Sequence, residues 1–144
     1  MRQRFIIIGG CREAVERVQR GLAEALGRFG YDPAACFAVR TAVEEAVGNA
    51  IHHGNGGDPG RRVTVEYAAD AESVVIDVHD EGLGFDPRSV PDPTRPENLD
   101  IPAGRGIMLM RYYMSEVEFT VPGNHVRMRL VRKKNPPGRA GGVV

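Results

Sequence analysis

The sequence has few of the features that mark secreted, membrane-spanning or nucleic-acid-binding proteins. Its 19 basic and 19 acidic residues give a formal net charge of zero, so no global field draws it to nucleic acid or an anionic membrane. The two cysteines, Cys11 and Cys36, fit no metal-ligand spacing, and without signs of secretion we expect reduced thiols in the cytoplasm. The apolar run at residues 5–8 ends at Gly9, too short for a signal peptide or membrane span, and predicts a buried strand.

The spacing of apolar residues predicts two helices after this strand. Between residues 13 and 29, apolar side chains recur with a period of about 3.6, and Glu and Arg occupy the opposite face. Asp32 and Pro33 are then typical of an N-cap followed by proline in the first turn. A second helix is predicted from there to about His53, ending at Gly54.

The remaining chain has the period of two that is typical of strands, interrupted by a loop and a short helix. A long Pro-rich loop covers about residues 86–103, a short apolar helix residues 106–114, and a Pro/Gly-rich tail residues 135–144, which we expect to be disordered. Residues 1–134 then form one α/β domain, a two-layer sandwich with a mostly antiparallel sheet and its helices on one face. The predicted strands are residues 63–67, 74–78, 117–121 and 126–130.

The second helix carries a possible oxygen-ligand site. At about 100° per residue, Glu45, Asn49 and His52 fall along one edge of its apolar stripe, whereas Glu44 falls on the opposite flank. A carboxylate beside an amide oxygen suits magnesium and a proton-accepting role. On the alternative interpretation, Glu45 is a solvated helix residue, and His52 and His53 complement the negative end of the helix dipole.

The strand at residues 74–78 leads into a second motif. Asp80 stands at its end and is followed by Gly82 and Gly84. An aspartate there can accept a hydrogen bond from an exocyclic amine, and the glycines allow backbone to approach a flat ring closely. The alternative is an ordinary acidic turn.

A third motif opens the short helix. Gly104 and Gly106 flank Arg105, and the free N–H groups of a helix start favour phosphate. A simple glycine cap is the alternative for this motif taken alone. The functional interpretation of all three motifs is supported by the order in which they occur within one domain.

In this order, residues 45–49 resemble the N box, residues 80–84 the first glycine box and residues 104–106 the second glycine box of the GHKL superfamily of ATPases and kinases. The short chain and the run at residues 43–54 are most similar to anti-sigma factor serine/threonine kinases. The resemblance extends from about residue 5 to residue 133 and implies a Bergerat-type ATP-binding fold.

The resemblance also implies a function. It suggests a cytoplasmic, homodimeric kinase that uses ATP and magnesium, acts as an anti-sigma factor and phosphorylates an anti-anti-sigma partner. The dimer would form through the first strand and first helix. The loop at residues 86–103 would be the lid over the nucleotide. The implied roles are Glu45 as general base, Asn49 as magnesium ligand, Asp80 as adenine reader, Gly82, Gly84, Gly104 and Gly106 as nucleotide-cradling glycines, and Arg105 as a phosphate contact.

The sequence departs from the family at one turn and leaves two other functions open. The segment at residues 122–125 replaces a Gly-Thr turn beside the adenine, which bears on that pocket and on whether activity is retained. The first alternative is a non-catalytic nucleotide-binding module that sequesters a sigma factor or another regulator; the presence of both Glu45 and Asn49 favours the kinase. The second, a detached histidine-kinase catalytic domain, is disfavoured because the chain has no room for a preceding helical hairpin.

Overall fold

The computed structural model describes residues 1–82, 105–120 and 124–132. Within these ranges, five strands and three helices follow one another, with a short π-helical segment after the second helix. The predicted lid, Gly84, Gly104 and the tail at residues 135–144 lie outside the described residues. The elements are β1 (Arg2–Ile8), α1 (Arg12–Arg28), α2 (Pro33–Asn49), the π segment (Ala50–Gly54), β2 (Arg62–Ala69), β3 (Ser73–Asp80), α3 (Arg105–Tyr113), β4 (Glu116–Thr120) and β5 (His125–Val131).

The strands form one sheet in the order β1-β2-β3-β5-β4, and every neighbouring pair is antiparallel. The α/β sandwich with an antiparallel sheet predicted from the sequence is therefore confirmed. Alternation along the strands explains the two layers, because every second residue is buried from Val63 to Ala69 in β2 and from Val74 to Val78 in β3. Away from β1, the other face of these strands carries mainly polar and charged side chains, among them Thr64, Glu66 and Asp77.

The core lies between the sheet and the apolar faces of the helices. The predicted stripe of α2 is confirmed, since Val39, Val43, Ala46 and Ala50 are all buried. Helix α2 begins as predicted, with the Asp32 carboxylate accepting a hydrogen bond from the N–H of Ala35 at 2.7 Å. In the described residues, no helix combines the length and apolar character needed to cross a membrane.

Two details of the sequence prediction are wrong. The strand at residues 5–8 is not buried throughout: β1 is an edge strand, and Ile6 and Ile8 are 49% and 60% exposed on the outer face. The second helix is not α-helical to His53, because its last turn widens into the π segment after Asn49. There the N–H of Asn55 donates to the carbonyl of Ala50 at 2.8 Å, a bond that spans five residues.

Candidate nucleotide site

A cleft lies where the end of α2 meets one end of the sheet and the short helix α3. Its floor is apolar, with Ala46 from α2, Val78 from β3 and Met110 from α3. Polar groups enter the cleft from two sides, Asn49 from α2 and Asp80 from the end of β3. An apolar cleft with a few convergent polar groups is typical of a small-molecule site.

Glu45 and Gly106 meet beside Asn49, the residue of α2 that lines one side of this cleft. The two α2 side chains are half-buried and one helical turn apart. The start of α3 approaches them so closely that a Cβ added at Gly106 would lie 2.7 Å from Oε2 of Glu45 and 3.7 Å from Oδ1 of Asn49. A side chain at position 106 would therefore displace the glutamate carboxylate. The structure brings together two motifs that are about 60 residues apart in the sequence.

Asp80 is enclosed by two glycines at the other side. The N–H of Gly82 donates to Oδ1 of Asp80 at 2.8 Å. A Cβ added at Gly54 would lie 2.1 Å from Oδ2 of Asp80, and one added at Gly82 would lie 1.7 Å from the carbonyl oxygen of Gly54. Contacts that short do not occur between real atoms, so both positions require glycine for the Asp80 carboxylate to stay where it is.

The Asp80 carboxylate is held in an unfavourable electrostatic environment. Burial raises its pKa above the ordinary value, and the hydrogen bond from Gly82 together with the charges of His79 and Arg61 compensates only in part. A carboxylate left under-compensated in a cleft is a common sign of a ligand-binding group.

Asn55 fixes the backbone around Asp80. Its side chain is only 3% exposed. Its Nδ2 donates to the carbonyl of Arg62 at 2.9 Å, and its Oδ1 accepts from the N–H of Glu81 at 2.8 Å. The amide therefore ties the π segment to the start of β2 and to the turn after β3. The backbone N–H of Asp80 donates to the carbonyl of Asn124 at 2.8 Å, which anchors the same turn to β5.

The two adjacent glutamates of α2 are separated as predicted, but His52 is not where the sequence analysis placed it. Glu44 is on the flank away from the cleft and pairs with Arg12 at 3.0 Å. His52 lines a groove on that same flank, together with Glu44 and Gly48, instead of joining Glu45 and Asn49. The widened π turn that begins at Ala50 changes the angle between successive residues. The position of His52, which was predicted with the 100° spacing of an α-helix, is therefore wrong.

Comparison with known proteins identifies the fold. The family model described as Histidine kinase-like ATPase domain matches residues 11–130. The chain belongs to this family. The resemblance to the superfamily noted from the sequence motifs is thereby confirmed for most of the chain, and ATP is the ligand that membership of a kinase-like ATPase family implies.

Curated relatives of this histidine kinase-like ATPase domain are named anti-sigma F factors. The chain is 36% identical to the one from Bacillus cytotoxicus over 84 residues, covering 56% of each protein. It is 37% identical to that of Geobacillus stearothermophilus over 83 residues, and 29% identical to that of Clostridium perfringens over 100 residues, covering 67% of this chain and 70% of the relative. The chain thus spans about half the length of the first two of these relatives.

The donor set of the cleft fits the ligand of a kinase-like ATPase domain. The oxygens of Glu45 and Asn49 are of the hard type that magnesium prefers, and Asp80 offers a carboxylate acceptor suited to an exocyclic amine. Gly106 lies in the first turn of α3 and carries no side chain that would fill the space in front of it. Arg105 is the exposed first residue of that helix. The helix begins one residue earlier than predicted.

Gly54 is the residue that sequence reasoning missed. It was recognised only as the end of a helix, whereas the structure packs it against the carboxylate of Asp80. The sequence contains one indication of this residue, since the glycine directly follows the polar pair His52 and His53. Its packing partner lies in another element of the fold, and no local pattern connects the two.

Proposed function

We propose that this domain binds ATP with magnesium in the cleft and acts as an anti-sigma factor that phosphorylates a serine or threonine of an anti-anti-sigma partner. The observation that carries the proposal is the meeting of Glu45 and Gly106 beside Asn49, which lines one side of a cleft whose other side holds Asp80. The names of the relatives from Bacillus, Geobacillus and Clostridium support the regulatory role. The rival role, a non-catalytic module that sequesters a sigma factor, predicts no need for Glu45.

Each group in the cleft has a distinct task in this mechanism. Asp80 accepts a hydrogen bond from the exocyclic amine of the adenine, and Gly82 keeps its carboxylate oriented. Asn49 offers its Oδ1 to magnesium, and the start of α3, with Gly106 and Arg105, faces the phosphates. Glu45 accepts the proton of the attacking hydroxyl. When bound, ATP would supply the phosphoryl group, and magnesium would neutralise the negative charge that develops during its transfer. The contributions of Gly84, Gly104 and the lid at residues 86–103 remain predictions from the sequence.

The pair Glu45 and Glu44 offers a matched test of this mechanism. Glu45→Gln keeps the size and polarity of the side chain but removes the base, so we expect ATP affinity to change little and phosphoryl transfer to fall by about 10²–10⁴-fold. Glu44→Gln changes the neighbouring residue on the other flank and loses only an exposed ion pair with Arg12, so transfer should be nearly unaffected. Transfer is followed with γ-labelled ATP and the anti-anti-sigma proteins of the same organism.

Three results would argue against the proposal. Equal transfer by Glu45→Gln and the wild type would remove Glu45 from the chemistry. Loss of ATP binding in Glu45→Gln would show that its role is structural. Binding of ATP and of a sigma factor by the wild type, without transfer to any anti-anti-sigma protein, would favour the sequestering module.

We also propose that the cytoplasmic protein is a homodimer that associates through β1 and α1. Strand β1 is at the edge of the sheet and exposes Ile6 and Ile8, an arrangement that offers both backbone hydrogen bonds and apolar surface to a second copy. Sedimentation of the wild type should give a dimer mass. The double variant Ile6→Lys/Ile8→Lys should sediment as a folded monomer, and a dimer that survives these two charges would contradict the proposed interface.

A further inference from the structure

The outer face of the sheet carries a cluster of potential metal ligands to which the proposed kinase mechanism gives no role, although one of them, His125, also lines the nucleotide cleft. Asp77 and His79 project from β3, and His125 begins β5. His79 and His125 are directly opposite each other in the register of the two strands. Each of the three half-buried residues offers one ligand atom, and these three atoms all lie within 4.8 Å of one another.

The cluster is already ordered by contacts among its members. Nε2 of His125 lies 2.7 Å from Oδ1 of Asp77. The rings of His79 and His125 are stacked, with centroids 4.1 Å apart and planes inclined by 3°. This packing holds both imidazoles close to the carboxylate of Asp77.

Neighbouring side chains orient the cluster in the way that outer-shell groups orient metal ligands. Arg127 donates from Nε to Oδ1 of Asp77 at 2.8 Å and from Nη2 to Oδ2 at 3.2 Å. Oγ1 of Thr120 lies 3.2 Å from Nδ1 of His125, which directs the other ring nitrogen, Nε2, toward Asp77. Hydrogen bonds of this kind fix the orientation of ligating histidines and carboxylates.

We propose that Asp77, His79 and His125 bind a divalent transition metal, with zinc as the best match. Two imidazoles and one carboxylate form a common three-residue zinc set, and water completes four-coordination. In a tetrahedral site, ligand atoms about 2.0–2.2 Å from one metal lie about 3.4 Å apart, so the most widely separated pair of the cluster must close by up to about 1.4 Å. The parallel imidazoles must tilt out of their stack, because parallel planes cannot both contain the metal.

The charges around the cluster are compatible with a bound dication. In the register of the sheet, Glu66 of β2 is opposite Asp77, and Glu118 of β4 is opposite Arg127. Glu118 balances the charge of Arg127, and Glu66 also pairs with Arg4 at 4.0 Å, so the carboxylate of Asp77 is left to offset part of the charge of the metal. This site is also distinct in chemistry from the all-oxygen pair of Glu45 and Asn49, which suits magnesium. The inference therefore does not rest on the proposed kinase function.

Calorimetric titration of the full chain with ZnCl₂, in the absence of nucleotide, tests the site. We expect one zinc ion per chain, no binding of MgCl₂ at this site, and the visible absorption bands of four-coordinate cobalt when CoCl₂ is used instead. His79→Asn and His125→Asn should each weaken zinc binding by at least about tenfold, the lower end of the effect of removing even an outer-shell partner. Cys11→Ser and His53→Asn, which change exposed zinc-binding side chains elsewhere, are the matched controls.

Several results would overturn this inference. One is the absence of zinc binding by the wild type; another is zinc binding of equal strength in His79→Asn and the wild type. Weakening by Cys11→Ser or His53→Asn instead would assign the zinc to adventitious surface groups. If circular dichroism shows that either cluster variant is unfolded, the cobalt spectrum of the wild type decides, and a six-coordinate or absent signal rejects the site.

Discussion

At the scale of single residues, the ionised carboxylate of Asp80 lowers the stability of the folded protein, and we propose that it does so because it is placed to bind a ligand. Its carboxylate is partly removed from water, and the hydrogen bond from Gly82 does not fully compensate. The result is a raised pKa, which means that the charged form is less stable in the folded protein than in the unfolded chain. We interpret this cost as the consequence of reserving a carboxylate for the amine of a ligand.

Asp80→Asn should therefore make the nucleotide-free protein more stable at neutral pH. The folded state holds the Asp80 proton more tightly than the unfolded state, so this carboxyl favours folding at low pH. That contribution is lost as the pH rises from the ordinary value of 3.8 through the raised pKa. Urea unfolding at pH 4.5 and pH 7.5 measures the effect. The gain of the variant over wild type should be larger at pH 7.5; a larger gain at pH 4.5, or a loss at both, would contradict this explanation.

At the scale of elements, the π segment is the feature that shapes the cleft. It widens the last turn of α2 directly after Asn49 and carries Gly54 against Asp80. The buried amide of Asn55 then fastens this turn to β2 and to the end of β3. π-Helical turns are frequent at functional sites, and here the turn joins the two motifs that the sequence separates.

Two glycines of this region provide a matched comparison. Gly54→Ala would place Cβ 2.1 Å from Oδ2 of Asp80, so we expect a loss of about 1–3 kcal/mol in the free energy of unfolding and weaker ATP binding. Gly48→Ala, in α2, meets no atom within 4 Å and should stabilise the helix by about 0.5–1 kcal/mol. Urea denaturation and ATP titration of both variants provide the measurements. A neutral Gly54→Ala would show that the Asp80 turn adjusts freely.

The elements themselves could be predicted from the sequence because they depend on local periodicity. The separation of Glu45 from Glu44 also followed from helical geometry alone. The π turn could not be predicted from the sequence. Its hydrogen bonds depend on the contacts that the Asn55 side chain makes with Arg62 of β2 and with Glu81 after β3. The exposure of Ile6 and Ile8 depends on the position of β1 at the sheet edge, which local alternation does not specify.

The same reasoning explains what was missed at the sites. Asp80 and Gly54 lie in different elements, and their contact appears only when the π segment packs against the end of β3. Asp77 and His125 are 48 residues apart and meet through the pairing of β3 with β5. Sequence motifs therefore predicted the groups that we propose for the nucleotide cleft, while the pairings between distant elements required the fold.

At the scale of the whole molecule, the described parts of the cleft lie where helices α2 and α3 meet one end of the antiparallel sheet. The chain belongs to the histidine kinase-like ATPase family over residues 11–130. The proposed kinase and anti-sigma roles both depend on one physical claim, that the cleft bounded by Asn49 and Asp80 binds ATP with magnesium.

Calorimetric titration with ATP, with and without magnesium, tests that claim most directly when wild type and Asp80→Asn are compared. We expect magnesium-dependent binding by the wild type, weakened at least tenfold in Asp80→Asn, because a hydrogen bond to a charged group is worth about 1.5–3 kcal/mol. The absence of ATP binding by the wild type, or equal affinity in Asp80→Asn, would contradict the account.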